Sequence, residues 1–239
     1  MATSSPLSHP PTATNCLLGA GFFKERTFLL LEFPMLRAER GADGPLRVLE
    51  VGSGNGSSVL PLLSGNAQVH VHATDPSPAA VEQTRLAVDA AGFGARLTTE
   101  VQTTAAVPCC VCHAPFDLAM IVFTLSAVPA DGDGALLRET GALLRAGGAL
   151  LIRDYGLYDA RHLVDARESQ LLQGTTPHEY LRPGGMHRRY YSLERIAELA
   201  RAAGLRVEES RYLCVRLHNE KKQLTRDRVY IHAVLRKDA

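Results

Sequence analysis

The chain has 239 residues, of which 46% are hydrophobic, and its formal net charge is +1. This length and composition predict one catalytic domain with a substantial core and short appendages. No apolar run reaches the roughly 18 residues that a membrane-spanning helix needs, so a membrane protein of that kind is excluded.

The first 20 residues differ in composition from the rest of the chain. They are rich in Ser, Thr, Pro and Ala, and the first charged residue is Lys24. The stretch has neither the apolar core of a secretory signal nor the arginines of a mitochondrial presequence. We expect a flexible tail at 1–20, a catalytic domain at 21–239 and a cytoplasmic location, with a mitochondrial one less favoured.

Apolar segments and helix signals alternate along the first two thirds of the domain. Ser77 and Pro78 mark one helix start plainly, as N-cap and first-turn residue. We predict strands at 46–51, 68–73, 96–103, 116–123 and 149–153, and helices at 57–63, 77–91 and 134–144. This alternation predicts an α/β Rossmann-like fold, a parallel sheet with helices on both faces.

The last part of the domain begins with a loop at 174–189 that is rich in Gly, Pro, His and Arg. Ser192 then caps a predicted helix that ends at Ala203. Two final strands, at 206–217 and 228–235, are joined by a polar stretch and predict an antiparallel hairpin at the sheet edge. Together the elements predict a seven-stranded, mostly parallel sheet.

A glycine-rich turn follows the first strand, from Glu50 to Gly56. Glycines let the backbone approach a ligand closely where open parallel sheets bind their ligands. Asp75, after the second strand, offers a carboxylate that can accept the two hydroxyl protons of a ribose. Because Ser57 follows Gly56, the spacing is not that of a dinucleotide-binding motif. The glycines could also merely turn the chain.

The same residues carry a first resemblance. Glu50 before the glycines and the Asp75-Pro76-Ser77 turn resemble motif I and the ribose-binding acid of class I S-adenosylmethionine-dependent methyltransferases. The resemblance implies S-adenosylmethionine as cofactor. It implies cofactor contacts from Glu50, Gly52, Gly54, Asp75, Pro76, Val122 and Phe123. The last two, at the end of the fourth strand, could equally be plain core residues.

Four colinear segments resemble the tRNA 3-methylcytidine methyltransferases, a methyltransferase-like family. They are GFFKER with EFP at 21–34, FTLSAV at 123–128, RDYGLYD at 153–159, and an NRxKQLTxxRVxIQ-like pattern at 219–231. The resemblance implies transfer of a methyl group to N3 of cytidine in the anticodon loop of tRNA.

The resemblance also implies roles for three residues after the fifth strand. Asp154 would be the charge partner of the cationic product and Tyr155 a stacking wall. Arg153 would either bind a phosphate group of the RNA or form an ion pair with Asp154. Alternatively, the segment is a structural tie.

The last quarter of the chain is basic. From Arg182 onward there are 14 Lys and Arg against 7 Asp and Glu, whereas the remainder has 12 against 18. Such asymmetry is typical of nucleic-acid-binding faces, although solvated arginine-rich helices produce it too. With the resemblance, it predicts phosphate contacts on RNA from Lys24, Arg26, Arg182, Arg188, Arg189, Lys221, Lys222 and Arg228.

Two other functions stay open. The same fold could methylate a small molecule or a protein, or the chain could be a catalytically silent subunit that binds tRNA or a partner. The segment at 100–103 favours the silent subunit, because Gln102 or Thr103 stands where related enzymes place an acid for the adenine. An aminoacyl-tRNA synthetase is one possible protein partner.

Three cysteines and a histidine form a local cluster, Cys109, Cys110, Cys112 and His113. A structural zinc site needs two separated ligand pairs. The sequence offers no second pair near this one. We therefore predict an ordinary loop and no bound metal.

Overall fold

The computed structural model describes residues 25–39, 41, 44–102, 114–129, 132–168, 170–171, 177–181, 187–220 and 223–238. Several predicted features lie outside these residues. They are the tail at 1–20, the cysteine cluster, Thr103, and the predicted RNA contacts Lys24, Arg182, Lys221 and Lys222.

Ten strands form two sheets. They are β1 (Leu46–Val51), β2 (Val69–Asp75), β3 (Leu97–Val101), β4 (Phe116–Val122), β5 (Leu144–Tyr155), β6 (Gln170–Leu171), β7 (Glu179–Leu181), β8 (His187–Arg189), β9 (Leu205–Asn219) and β10 (Leu224–Lys237). The main sheet has seven strands in the order β3-β2-β1-β4-β5-β10-β9. Only β10 is antiparallel to its neighbours, β5 and β9. The predicted fold class is confirmed, with the second arm of the hairpin inserted next to β5.

The described residues contain six α-helices: α1 (Leu29–Glu32), α2 (Val59–Gly65), α3 (Pro78–Ala90), α4 (Asp133–Ala142), α5 (Ala160–Glu168) and α6 (Leu193–Ala202). Ser77 and Ser192 cap α3 and α6 as predicted, because their hydroxyls accept hydrogen bonds from Ala80 N and Arg195 N. Within the described ranges no helix is both long and apolar enough to cross a bilayer.

The main sheet is buried on both faces. Leu49, Ile121 and Ile152 belong to the core on the side of α4 and α6, whereas Val48 and Met120 belong to the core packed against α1 and α2. Neighbouring residues of one strand thus enter opposite cores, as the period of two in a strand requires. This arrangement leaves the carboxyl ends of β1, β2, β4 and β5 at one edge, where the predicted site residues lie.

The segment after β5 differs from the prediction. Helix α5 was not predicted, and the supposed loop at 174–189 contains β7 and β8, which pair with β6 in a second sheet. Strands of two or three residues carry too little periodicity to be seen in sequence. Arg189, predicted to contact RNA, is 2% exposed and pairs with the buried carboxylates of Asp133 and Glu179. Its role in RNA contact was therefore wrong: it is a core ion-pair residue.

Candidate active site

A tight turn of glycines follows β1. Gly52, Gly54 and Gly56 have φ values of 75°, 57° and 81°, a region that residues with a Cβ rarely adopt. At Gly52 there is also no space, because a Cβ would collide with the side chain of Thr124. Backbone conformation and packing both demand glycine here, before any ligand is considered.

Asp75 ends β2 beside this turn, and backbone N–H groups hold its carboxylate. Oδ2 accepts a hydrogen bond from Gly54 N at 2.8 Å, and Oδ1 accepts one from Ser77 N at 2.9 Å. Each oxygen keeps a second lone pair for a ligand hydroxyl. The carboxylate is therefore held in a fixed position beside the glycine turn.

A cavity of about 380 Å³ opens at this edge of the sheet. It brings together six of the seven residues predicted to bind the cofactor: its lining includes Gly52, Gly54, Asp75, Pro76, Val122 and Phe123. In this structure Val122 and Phe123 serve both as core residues and as walls of the cavity.

Glu50, the seventh predicted cofactor residue, lies behind the glycine turn. It is fully buried, and neither of its carboxylate oxygens accepts a hydrogen bond from the residues that the structure describes. Burial raises its pKa to about 7, against the opposing effects of Arg26 and the Ser58 hydroxyl. Ionising a buried carboxyl group is costly, and among the described residues Arg26 is the cation that lowers this cost.

Arg26 lies at the mouth of the cavity. Its guanidinium donates hydrogen bonds to Ser58 Oγ at 3.1 Å and Val122 O at 3.4 Å, and its Cζ lies 5.0 Å from the centre of the Phe123 ring. It also counteracts the effect of burial on the pKa of both Glu50 and Asp154. These contacts place Arg26 inside the site.

A second cavity, of about 540 Å³, adjoins the first and shares Arg26, Ser57 and Phe123 with it. Aromatic rings of Phe28, Phe123 and Tyr230 contribute to its walls, and Leu213 and Val215 of β9 line it as well. Phe123 has a φ of 56°, an uncommon conformation for a bulky residue. One residue in a strained conformation thus separates the two cavities.

Arg153 faces this second cavity and is held on two sides. Its Nη1 lies 2.9 Å from Glu32 Oε1, and its Cζ lies 4.2 Å from the centre of the Tyr230 ring. Glu32 Oε1 also lies 3.1 Å from His232 Nδ1. The ion pair of Arg153 is therefore with Glu32, whereas the sequence analysis considered Asp154 as its partner.

Asp154 points to the other face of the sheet, as its position between Arg153 and Tyr155 requires. It is fully buried, and its carboxylate accepts hydrogen bonds from Ser126 N at 3.0 Å and Tyr155 N at 2.8 Å. Burial raises its pKa to about 6, although these hydrogen bonds lower it. Asp154 therefore ties the end of β5 to the segment that follows β4.

Tyr155 is the centre of an aromatic cluster. Its ring centre lies 5.2 Å from that of Phe123, 5.9 Å from Tyr190 and 6.2 Å from Tyr230. The guanidinium carbons of two arginines also lie over the ring, Arg188 at 5.2 Å and Arg228 at 5.6 Å. Tyr155 thus connects the aromatic cavity to a group of arginines.

Two of the predicted RNA contacts, Arg188 and Arg228, lie against Tyr155 in this cluster. Arg228 is also anchored by a carboxylate. Its Nε donates to Asp159 Oδ2 at 2.6 Å. The sequence analysis missed Phe28, Glu32 and Tyr230 as site residues. Tyr230 could have been found, because it lies two positions after Arg228 in a strand and so points to the same face.

Comparisons with known proteins agree with this geometry. A family described as a methyltransferase domain matches residues 23–210. A solved structure of 1,6-didemethyltoxoflavin-N1-methyltransferase from Burkholderia thailandensis, which contains S-adenosylhomocysteine, superposes with a TM-score of 0.59 at 21% identity, covering 99% of this chain and 94% of that one. The fold and the site define a class I S-adenosylmethionine-dependent methyltransferase.

Two relatives narrow the family. The tRNA N(3)-cytidine methyltransferase METTL6 of Pongo abelii is 30% identical over 89% of this chain and 74% of its own length. O-methyltransferase 3 of Dictyostelium discoideum is 29% identical over 78% of this chain, which spans only 42% of that relative. The chain belongs to the tRNA N3-cytidine methyltransferase family, so the resemblance seen in its sequence is confirmed.

Proposed function

We propose that this protein transfers the methyl group of S-adenosylmethionine to N3 of cytidine in the anticodon loop of tRNA. The observation that carries the proposal is the junction at Phe123, where a cavity with a ribose-binding carboxylate meets a cavity walled by aromatic rings. Aromatic rings that line a cavity suit a nucleobase, because its π-face can pack against them. The relatives named for cytidine N3 methylation support the choice of base.

The residues around the first cavity fit S-adenosylmethionine. Asp75 would accept hydrogen bonds from the ribose hydroxyls, and Gly52 and Gly54 would let the backbone approach the ligand. The buried carboxylate of Glu50 would stabilise the positive charge of the ligand. The same interaction would offset the energetic cost of burying this carboxylate. Val122 and Phe123 would pack against the adenosine and the methyl-bearing sulfur.

The reaction asks little of acids and bases. When bound, the cofactor supplies an electrophilic methyl group on a sulfonium. Cytosine N3 has an exposed lone pair, so the protein has no proton to remove before the transfer. The aromatic walls from Phe28, Phe123 and Tyr230 would hold the ring in line with the methyl group, and such positioning can supply most of the rate.

The methylated base is a cation, and this determines what its neighbours must do. Guanidinium groups already lie over the rings of Tyr230 and Phe123, so the buried carboxylate of Asp154 would be the group that offsets the charge of the product. The carboxylate of Glu32 balances the charge of Arg153, and Arg153 would hold Tyr230 in place. Asp154 would fix the backbone from which Tyr155 projects. Arg153, Asp154 and Tyr155 are thus proposed to build the base-binding cavity, with Asp154 adding negative charge behind it.

Nucleoside mass spectrometry tests this proposal. Purified protein, S-adenosylmethionine and total tRNA should yield 3-methylcytidine, and the Asp75→Ala variant should yield little. Methylation of tRNA at another position would contradict the assignment of N3.

The similarity to O-methyltransferase 3 favours a second candidate, methylation of a small-molecule hydroxyl. Consumption of S-adenosylmethionine with metabolite extracts but not with tRNA would support it. Failure to bind S-adenosylmethionine in calorimetry would instead support a catalytically silent subunit.

A further inference from the structure

A polar pocket lies beside the aromatic cluster, and Tyr155 forms part of its lining. Its volume is about 280 Å³, and four arginines line it with Tyr155: Arg161, Arg188, Arg226 and Arg228. It is formed by α5, β8 and β10, so residues distant in sequence converge here. The family resemblance implied RNA phosphate contacts from Arg188 and Arg228 but gave no role to Arg161 and Arg226, and it did not predict that the four guanidinium groups meet at one place.

Among the described residues, carboxylates balance the positive charge of this pocket only in part. Asp159 and Asp165 are the buried carboxylates that pair with these arginines. Arg226 is exposed and forms no ion pair with the residues that the structure describes. Four positive groups against two negative ones leave an excess that an anionic ligand would neutralise.

Three of the four arginines, Arg161, Arg188 and Arg228, are also held in position before any ligand arrives. Asp159 Oδ2 accepts hydrogen bonds from Arg228 Nε at 2.6 Å and from Val229 N at 2.9 Å. The hydrogen bond from Arg228 to Asp159 uses only Nε, so the two terminal nitrogens of the guanidinium take no part in it. A guanidinium anchored in this way loses less freedom when it binds an anion.

Asp165 anchors the opposite side of the pocket. Its carboxylate lies 3.0 Å from Arg161 Nε and 3.6 Å from Arg188 Nη1, and it accepts a hydrogen bond from the Tyr190 hydroxyl at 2.7 Å. Arg188 in turn lies over the ring of Tyr155. The pocket is thus tied to the wall of the base-binding cluster by direct contacts.

Resting on the proposed function, we infer that this arginine pocket binds one phosphodiester group of the RNA, next to the nucleotide whose base enters the aromatic cavity. Guanidinium groups match the geometry of phosphate oxygens. The phosphate and the base of one nucleotide lie close together. Tyr155 lines the arginine pocket, and its ring contacts Phe123 and Tyr230 of the aromatic cavity. The pocket would make the enzyme select a nucleotide within a polynucleotide over a free nucleoside.

The test combines a protein variant with a chemically altered RNA. A series of anticodon stem-loop oligonucleotides, each with one uncharged methylphosphonate linkage near the target cytidine, is assayed for kcat/KM with S-adenosylmethionine. For wild-type protein, one linkage should lower kcat/KM about tenfold, the effect of losing a hydrogen bond to a charged group. The Arg226→Ala variant should be slower on the unmodified RNA and clearly less sensitive to that same linkage, because one of the four guanidinium groups that meet the phosphate is gone.

Arg216→Ala is the matched control. Arg216 is an exposed arginine of the same hairpin, but it is paired with Asp227 at 2.7 Å and does not line the pocket. This variant should keep the sensitivity of the wild-type protein to the neutral linkage. Circular dichroism of all three proteins checks that they are folded equally.

The possible outcomes separate the two proposals. Wild-type protein that methylates the unmodified RNA, while Arg226→Ala remains as sensitive to every neutral linkage as wild type, overturns the phosphate pocket and leaves the proposed function standing. Wild-type protein that binds S-adenosylmethionine but methylates neither the oligonucleotides nor tRNA overturns both. Lower sensitivity at one linkage in Arg226→Ala alone supports the pocket.

Discussion

Replacing Glu50 with glutamine removes a charge that the folded protein carries without a hydrogen-bonding partner among the described residues. Burial raises the pKa of Glu50 from 4.5 to about 7. The folded state therefore holds the proton more tightly than the unfolded state. The protonated group therefore contributes stability that is fully present below the pKa of the unfolded state and is lost as pH rises through the pKa of the folded state. The total loss is about 3 kcal/mol.

The size of the effect depends on pH in a way that can be worked out. Little of this stabilising contribution is lost at about pH 5, and nearly all of it is lost at about pH 8. The free energy of unfolding of Glu50→Gln, relative to that of wild type, should therefore be about 2 kcal/mol higher at pH 8 than at pH 5. Urea denaturation at both pH values measures this difference. Other titrating groups, including Asp154, are present in both proteins and cancel in the comparison.

Glu82→Gln is the control for this experiment. Glu82 is exposed on α3, and the hydrogen bond from Arg85 lowers its pKa, so its titration lies below the tested range. Its replacement should change stability only slightly and equally at both pH values. If Glu50→Gln and wild type differ by the same free energy at about pH 5 and pH 8, Glu50 does not titrate as its burial requires and the reasoning fails.

Three further substitutions test the site. Asp75→Ala should weaken S-adenosylmethionine binding in calorimetry by roughly 10- to 100-fold, since hydrogen bonds to a charged group are lost; Asp89→Ala, at an exposed position on α3, should not. Gly52→Val should lower the melting temperature as well as abolish binding, because the new side chain would collide with Thr124; unchanged melting would contradict this. Glu32→Gln should cost about 3 kcal/mol in urea denaturation, because it leaves the buried Arg153 without its ion pair; a loss below about 1 kcal/mol would show that the pair is dispensable.

The cofactor edge of this fold could be predicted from sequence because its signals are local. Each buried strand carries its own apolar run, and the glycine turn lies directly after β1. The acid that faces the turn comes one strand later, at Asp75. Parallel strands bring their carboxyl ends to one edge whatever the side chains elsewhere do. The position of Asp75 beside the glycine turn therefore followed from motifs that are visible in the sequence, whereas the strand order did not.

The base-binding side could not be predicted in the same way, because it depends on pairing between distant strands. Tyr230 enters the site because β10 places it opposite Tyr155. Arg189 looked like an exposed RNA contact, yet the pairing of β7 with β8 places it opposite Glu179 and buries it. Charge in a sequence predicts neither register nor burial when its partners come from other elements.

The ionisable groups around the aromatic cavity show what kind of catalyst this is. Arg153 is bound to Glu32, Glu32 also contacts His232, and Asp154 is occupied by two backbone N–H groups. Arg153, Glu32 and Asp154 are therefore already engaged in holding the structure around the proposed base-binding cavity. A reaction at a nitrogen that bears a free lone pair needs no proton transfer, so it can proceed among such fixed groups. The site supplies shape and fixed charge in place of acid–base catalysis, and this suits methyl transfer to cytosine N3 better than transfer to a hydroxyl, from which a base must remove a proton.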